Sequence, residues 1–171
     1  MKHSTLSILV LIIFSCRNSN KPSMNGTKLA IKPFEIKVYD SDYSMAYSKI
    51  FKLTEKELCI VFHGDLVGEK DSVIFKKELS TSDTLLQLSN IDIRNLKEHY
   101  ENPCIEDGSQ IYVSVKMDSV IKNVQLSNYY EENIGKAIEL VNSLTPKEHT
   151  IWYDKKILLA QMEQCGHDTI E

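Results

Sequence analysis

Apolar positions recur along this chain at two periods, and the switch between them divides it into elements. Phe34, Ile36 and Val38 alternate with Glu35, Lys37 and Tyr39, the period of a half-buried strand. Tyr47 to Leu53 repeats the pattern with Ile50, Phe51 and Leu53. Thr54 to Glu57 reads as a turn, and Leu58-Cys59-Ile60-Val61-Phe62-His63 as a buried strand whose cysteine is a core thiol. The polar loop Gly64 to Lys70 then leads to a further strand, Ser72 to Leu79. Ile111, Val113 and Val115 alternate within Gln110 to Lys116. Val120 to Leu126 follows across Met117-Asp118-Ser119, which is short enough for a hairpin turn.

The helical period dominates elsewhere. Ile134, Ala137, Ile138, Val141 and Leu144 recur at three and four, which predicts a helix over 130–144 ended by Thr145-Pro146. Ser80 or Ser82 can cap a short helix carrying Leu85, Leu86 and Leu88, with Ile91, Ile93 and Leu96 as a second helical turn. Residues 100–108 read as a loop, because Asn102-Pro103 and Asp107-Gly108 are both breakers. Thr150 to Tyr153 is expected as a short edge strand. Asp154 can cap a final helix, Lys155 to Gln164, that turns Ile157, Leu158 and Met162 inward. Short turns between strands favour antiparallel pairing. The order predicts an α+β domain with an antiparallel sheet of about five to six strands and two or three helices on one face.

The N-terminus carries a different pattern. Lys2 is followed by an apolar run, Leu6 to Phe14, interrupted only by Ser7 and closed by Ser15-Cys16. A membrane-spanning helix needs about 20 apolar residues, so this run is too short to span and right for a secretory signal. A plain signal peptide, or a short buried strand with an incidental cysteine, would also account for the run. Ile13-Phe14-Ser15-Cys16 resembles the lipobox of bacterial lipoproteins, with Phe14 where a smaller residue is commoner. That resemblance implies cleavage before Cys16, acylation of its thiol and new amine, and attachment to a bilayer through lipid alone. Residues 1–15 are then the signal peptide, 16–32 a polar tether with Pro, Gly, Ser and Asn, and 33–171 a single domain with a frayed C-terminal tail. No Asp follows Cys16, so the retention signal known in enteric bacteria is absent. The expected location is a periplasm-facing surface of the bacterial envelope.

Charge and cysteine content narrow the partners. Lys2 is the only charged residue in 1–15, so the mature chain keeps 19 basic and 24 acidic residues, a net charge of −5. This disfavours nucleic acid, and the basic pairs Lys76-Lys77 and Lys155-Lys156 are isolated. After Cys16, three cysteines remain, and an odd number in an oxidising compartment leaves one unpaired. A Cys104–Cys165 disulfide is the open possibility, and no CxxC occurs.

Several short constellations suggest chemistry without establishing it. His63-Gly64-Asp65 can converge at a strand end. A metal site needs further ligands, though, and His99 and His149 have no diagnostic spacing. Cys165-Gly166-His167-Asp168 holds nucleophile, base and orienter types, but these are sequence neighbours, and working triads gather distant segments. Cys104 has no His nearby to lower its pKa. The pairs Tyr129-Tyr130 and Trp152-Tyr153 suit a core edge or a ligand surface. No GxGxxG, GxxxxGK[ST] or GxSxG occurs, and no cofactor or metal is expected.

The triplets Asp71-Ser72-Val73, Asp83-Thr84-Leu85, Asp118-Ser119-Val120 and Asp168-Thr169-Ile170 each read Asp, hydroxyl residue, aliphatic. They resemble the O-glycosylation acceptor of Bacteroidota envelope proteins, which implies Ser72, Ser119 and Thr169 as candidates. The same pairs also serve ordinary turns and caps. Together with the lipobox, the chain resembles the envelope lipoproteins of Bacteroidota. The expected function is a lipid-anchored, non-catalytic domain that binds a ligand or an envelope protein partner. The alternatives are an envelope hydrolase using His63 and Asp65 or Cys104, and an immunity or inhibitor protein, which the size permits.

Overall fold

The computed structural model of the chain describes residues 31–41, 47–64 and 66–168. Cys16, the signal segment, most of the tether, Asp65 and Thr169 lie outside the described residues. The strands are β1 (Phe34–Ser41), β2 (Tyr47–Thr54), β3 (Glu57–Gly64), β4 (Ser72–Glu78), β5 (His99–Glu101), β6 (Gln110–Met117) and β7 (Val120–Ser127). The helices are α1 (Asp83–Leu88), α2 (Glu132–Leu144) and α3 (Lys155–Asp168), with 3-10 turns at Ile93–Asn95 and Lys147–His149. The strands form one sheet in the order β4-β3-β2-β1-β6-β7-β5. Every pairing is antiparallel except β5 with β7.

The α+β class matches the sequence pattern, but the described sheet has seven strands rather than five or six. The addition is β5, within the segment that reads as a loop. It is three residues long, and its flanks hold it to β7: Gln125 N donates to Glu98 O (2.8 Å) and Asn102 N to Ser127 O (3.0 Å). A strand this short before Asn102-Pro103 has no alternation to detect.

Alternation on the central strands sends Ile36, Val38, Phe51, Leu53, Leu58, Ile60, Val113, Val115 and Val124 to one side, all buried. Ile134, Ala137, Ile138 and Val141 of α2, Leu85 and Leu88 of α1, and Leu158 of α3 close over them in one apolar cluster. Each large aliphatic side chain taken fully from water stabilises the fold by about 1.5–3 kcal/mol. All three helices therefore lie on one face of the sheet, and none of the described residues forms a layer on the other.

Caps fix where the helices start. Ser82, not Ser80, caps α1, accepting from Leu85 N at 3.3 Å. Glu131 caps α2, its Oε2 accepting from Ile134 N at 2.8 Å. Asp154 caps α3, accepting from Ile157 N at 2.9 Å. The expected second helical turn at Ile91, Ile93 and Leu96 shrinks to the 3-10 turn Ile93–Asn95, capped by Asp92. The Asp92 carboxylate holds Arg94 N (3.2 Å) and Asn95 Nδ2 (3.0 Å) in a local turn that competes with a continuing helix.

Two further expectations are corrected. Thr150 to Tyr153 joins no strand of the sheet. Its extended backbone is satisfied by one side chain: Ile151 N donates to Asn142 Oδ1 and Asn142 Nδ2 donates to Ile151 O, both 2.8 Å. An amide on α2 thus does the work of a neighbouring strand. The final helix runs on to Asp168 instead of fraying after Gln164, with Leu158 buried but Ile157 exposed. Tyr153 anchors its start. The hydroxyl accepts from Glu131 N and donates to Tyr129 O, both 3.0 Å, and burial pushes its pKa well above the usual tyrosine value.

Candidate functional site: the open face of the sheet

Strand register defines the uncovered face. Val73 pairs with Val61, Val61 with Ile50, Ile50 with Tyr39, Tyr39 with Tyr112, Tyr112 with Gln125, and Gln125 with His99. Paired residues point to the same side, so these seven form a transverse row, one from each strand, opposite the helices. The row is aliphatic over β4-β3-β2, aromatic at β1-β6 and polar at β7-β5. Val73 (63% exposed) and Tyr112 (47%) are open to solvent, as is Ile121 (58%) on β7. Tyr39, Ile50 and Val61 are half-buried by their neighbours.

Beside it runs a second row, Lys76, Cys59, Lys52, Lys37, Ser114 and Asn123. Lys52 Nζ meets Glu35 at 2.8 Å, Lys37 meets the same carboxylate at 3.2 Å, and Lys76 meets Glu57 at 2.9 Å. Burial opposes the ionisation of Glu35, but the hydrogen bonds from Lys52 and Lys37 outweigh it and hold the carboxyl below its usual value. Lys52 and Lys76 are raised by the hydrogen bonds they donate to Glu35 and Glu57. Cys59 is buried as expected, yet it is no member of the apolar cluster under the helices. It lies on the open face between its cross-strand neighbours Lys52 and Lys76, and it is unoxidised.

The β1-β6-β7-β5 part of this face is concave. A groove of about 590 Å³ runs along Tyr39, Tyr112, Ser114, Asn123, Gln125 and His99, with the pair Lys122–Glu98 (3.3 Å) at its rim. Tyr112 donates its hydroxyl to Gln110 Oε1 at 3.2 Å. Gln125 also lines a second, more polar groove of about 460 Å³ with Glu101, Asn102, Gln110, Ser127 and Asn128. Asn102 is buried there (3% exposed). Its Oδ1 accepts from Cys104 N at 3.2 Å, while its Nδ2 has no hydrogen-bond partner among the described residues. Cys104 and Cys165 are joined by a disulfide with Cα atoms 5.6 Å apart, which fastens the loop after Asn102 to α3.

Among the described residues the sequence-derived catalytic candidates do not assemble; Asp65 lies outside them. His63 Nδ1 meets Asp71 Oδ1 at 2.6 Å, both on the exposed β3–β4 hairpin. Cys104 is taken up in the disulfide, which removes it as a free thiolate nucleophile. His99 lies on the groove, far from His63 across the strand order. Among the described residues no three His, Cys, Asp or Glu side chains gather to hold a metal. Of the aromatic pairs, Tyr130 and Tyr153 stack at 5.5 Å at the core edge, Tyr129 tilts on Tyr100 at 5.2 Å, and Trp152 is exposed. Ser72 and Ser119 are exposed, whereas Thr84 is half-buried in α1. Among the described residues no helix is long and apolar enough to cross a membrane.

Tyr39, Tyr112 and Gln125 were not singled out by sequence reasoning. They occupy the polar positions of ordinary alternating strands, and only the order of the strands puts them side by side. No protein-family model, curated protein or solved structure matches this chain.

Proposed function

We propose that this chain is a lipid-anchored protein of the bacterial envelope, and that its folded domain is a non-catalytic binding module acting through the open face of the sheet. The anchoring part rests on the charged start, the apolar run and Ile13-Phe14-Ser15-Cys16. The binding part rests on one observation: the row from Val73 to His99 leaves Val73 and Tyr112, with Ile121 beside it, uncovered on a broad surface. Contiguous exposed apolar surface of this kind marks interaction sites. Ser72 and Ser119 are proposed as O-glycan acceptors, with Thr169 as the third. Ser72 and Ser119 lie away from the centre of the row.

The test uses cells expressing the full chain with a photoreactive amino acid at Tyr112 or Val73, or at Trp152 on the helix side. Adducts from the two open-face positions support the reading, and adducts from Trp152 alone overturn it. Cys16→Ala is expected to leave the membrane fraction or to remain uncleaved. Unchanged processing and attachment would refute the lipid anchor.

A further inference from the structure

We propose that the tether-side corner of the open face docks on anionic phospholipid headgroups of the bilayer that holds the chain. This rests on the lipid anchor and the open-face binding role proposed above, and it names the occupant of that face.

Three paired strands build the corner. Glu35 and Lys37 on β1 stand opposite Lys116 and Ser114 on β6, and Lys37 stands opposite Lys52 on β2. All point away from the helices. Both carboxylate oxygens of Glu35 are engaged, Oε1 by Lys37 at 3.2 Å and Oε2 by Lys52 at 2.8 Å. Two ammonium groups thus share one carboxylate. Lys116, the cross-strand neighbour of Glu35, is exposed and has no ion pair among the described residues.

Three lysines around one glutamate leave this corner positive in a chain whose net charge is negative. The acids nearby do not cancel it. Glu55 and Glu57 have their own lysines, Lys56 and Lys76. Asp118 shares a hollow of about 290 Å³ with Lys116, and in the neighbouring hollow it is offset by Lys32. The acid excess lies partly on the helix side, where Glu131, Glu132 and Glu139 accompany one lysine of α2, Lys136. Attraction to a charged surface is set by groups within about 10 Å of it at ordinary salt, so the local excess decides which side faces the lipid.

Apolar contact is present at the same corner. Ile121 pairs with Lys116 across β6 and β7 and is exposed. An isoleucine flanked by lysines suits the headgroup boundary, where the aliphatic chain enters and the ammonium groups meet phosphates. Chain geometry holds this corner in reach. Phe34 begins β1 beside Glu35, and Cys16 lies 18 residues before it. A chain of that length spans at most about 65 Å. A soluble anion would meet the same lysines but would leave Ile121 unused.

The full acylated chain is reconstituted into vesicles of phosphatidylcholine alone, or of phosphatidylcholine and phosphatidylglycerol in equal parts. A membrane-impermeant amine reagent is applied, and labelling of each lysine is followed by peptide mass spectrometry. With phosphatidylglycerol, Lys37, Lys52 and Lys116 should label about fivefold more slowly, the factor by which one lysine near an anionic surface favours the docked state. Lys155 and Lys156 at the start of α3 should be unchanged. Raised salt should remove the protection. Lys116→Gln and Ile121→Ser should each lessen the protection of Lys37 and Lys52, with unchanged circular dichroism. The proposal is overturned if phosphatidylglycerol leaves the three lysines labelling at the same rate, or if Lys155 and Lys156 are protected equally. It is also overturned if inorganic phosphate added to phosphatidylcholine vesicles protects as well, which would assign the lysines to a soluble anion. Acylated, vesicle-bound chain without lysine protection would leave the anchor standing. Photo-adducts between Tyr112 and a protein would then keep the open-face reading and overturn lipid as its occupant. A chain without acyl groups on Cys16 would overturn the anchor and this docking together.

Discussion

Removing the disulfide should cost this domain a large part of its stability. Cys104 and Cys165 are 61 residues apart, and the bond between them closes a loop holding β6, β7, α2 and most of α3. Cross-linking a loop of that length lowers the entropy of the unfolded chain by about 14 cal/mol/K, worth about 4 kcal/mol at 25 °C. The Cα separation of 5.6 Å lies within the ordinary range for a disulfide, so little backbone strain subtracts from it. Domains of this size are stable by only about 5–15 kcal/mol in all, so about 4 is a large share. The perturbation is the double variant Cys104→Ser, Cys165→Ser, which leaves no new free thiol. With a urea dependence of about 2 kcal/mol per molar, its unfolding midpoint should fall by about 2 M. Thiol labelling of the unfolded, unreduced, acylated chain should find only Cys59. The reasoning fails if the midpoint moves by less than about 0.5 M, well below the loop-entropy expectation. It fails equally if peptide mapping links Cys59 to either partner.

Three further outcomes follow from particular contacts. Asn142→Ala leaves both the N–H and the C=O of buried Ile151 without their partner and should destabilise the domain by about 2–3 kcal/mol in urea unfolding. Gly135→Ala places a Cβ 2.5 Å from the Tyr130 ring, so it should lose about 1–3 kcal/mol by overpacking, although alanine is the better helix former. Against the opposing effect of burial, Lys52 and Lys37 hold the Glu35 carboxyl below its usual range in the folded state, so these ion pairs stabilise fully above the ordinary glutamate pKa. That contribution is lost as pH falls through the lower folded value. The Glu35→Gln variant should therefore show a flatter dependence of unfolding midpoint on pH in the acid range, with the curves converging at low pH.

What could be read in the chain, and what could not, follows from the range of the forces involved. The hairpin strands and α2 were legible because burial on one side imposes a period of two or of three to four on the residues themselves, as at Ile111, Val113 and Val115. Asp154 was legible as a cap for the same local reason. β5 was not, because its bonds run to β7 from a three-residue segment with no pattern of its own. The extended stretch at Ile151 looked like a strand because it is one locally. Its partner is an amide on α2, and nothing in Thr150-Ile151-Trp152-Tyr153 announces that. The candidate site was invisible for a stronger reason. Tyr39 and Tyr112 are 73 positions apart and meet only because β6 pairs with β1, a connection that skips four strands and α1. His63 and Cys104 drew notice by residue type, yet one pairs with a hairpin aspartate and the other with a second cysteine.

The two edges of the sheet sharpen the case for its face. β4 is the exposed edge, and it carries Lys76 and Lys77 with an irregularity in register opposite Ile60 and Val61. Lysines and bulges on an edge strand discourage pairing with another chain. The opposite edge, β5, is too short to template a strand and is followed by Asn102-Pro103. Both routes to binding by strand addition are therefore obstructed by features that cost the fold little. Neither device extends across the centre of the open side. There Tyr39 and Tyr112 sit with uncharged Ser114 and Gln125 around them, while the lysines of the next row are tied to Glu35 and Glu57. On the binding role proposed above, a sheet whose edges discourage other strands while Tyr112 stays exposed on its face would recognise a ligand through side chains. Substituting Tyr112 therefore tests that arrangement more directly than any change at β4.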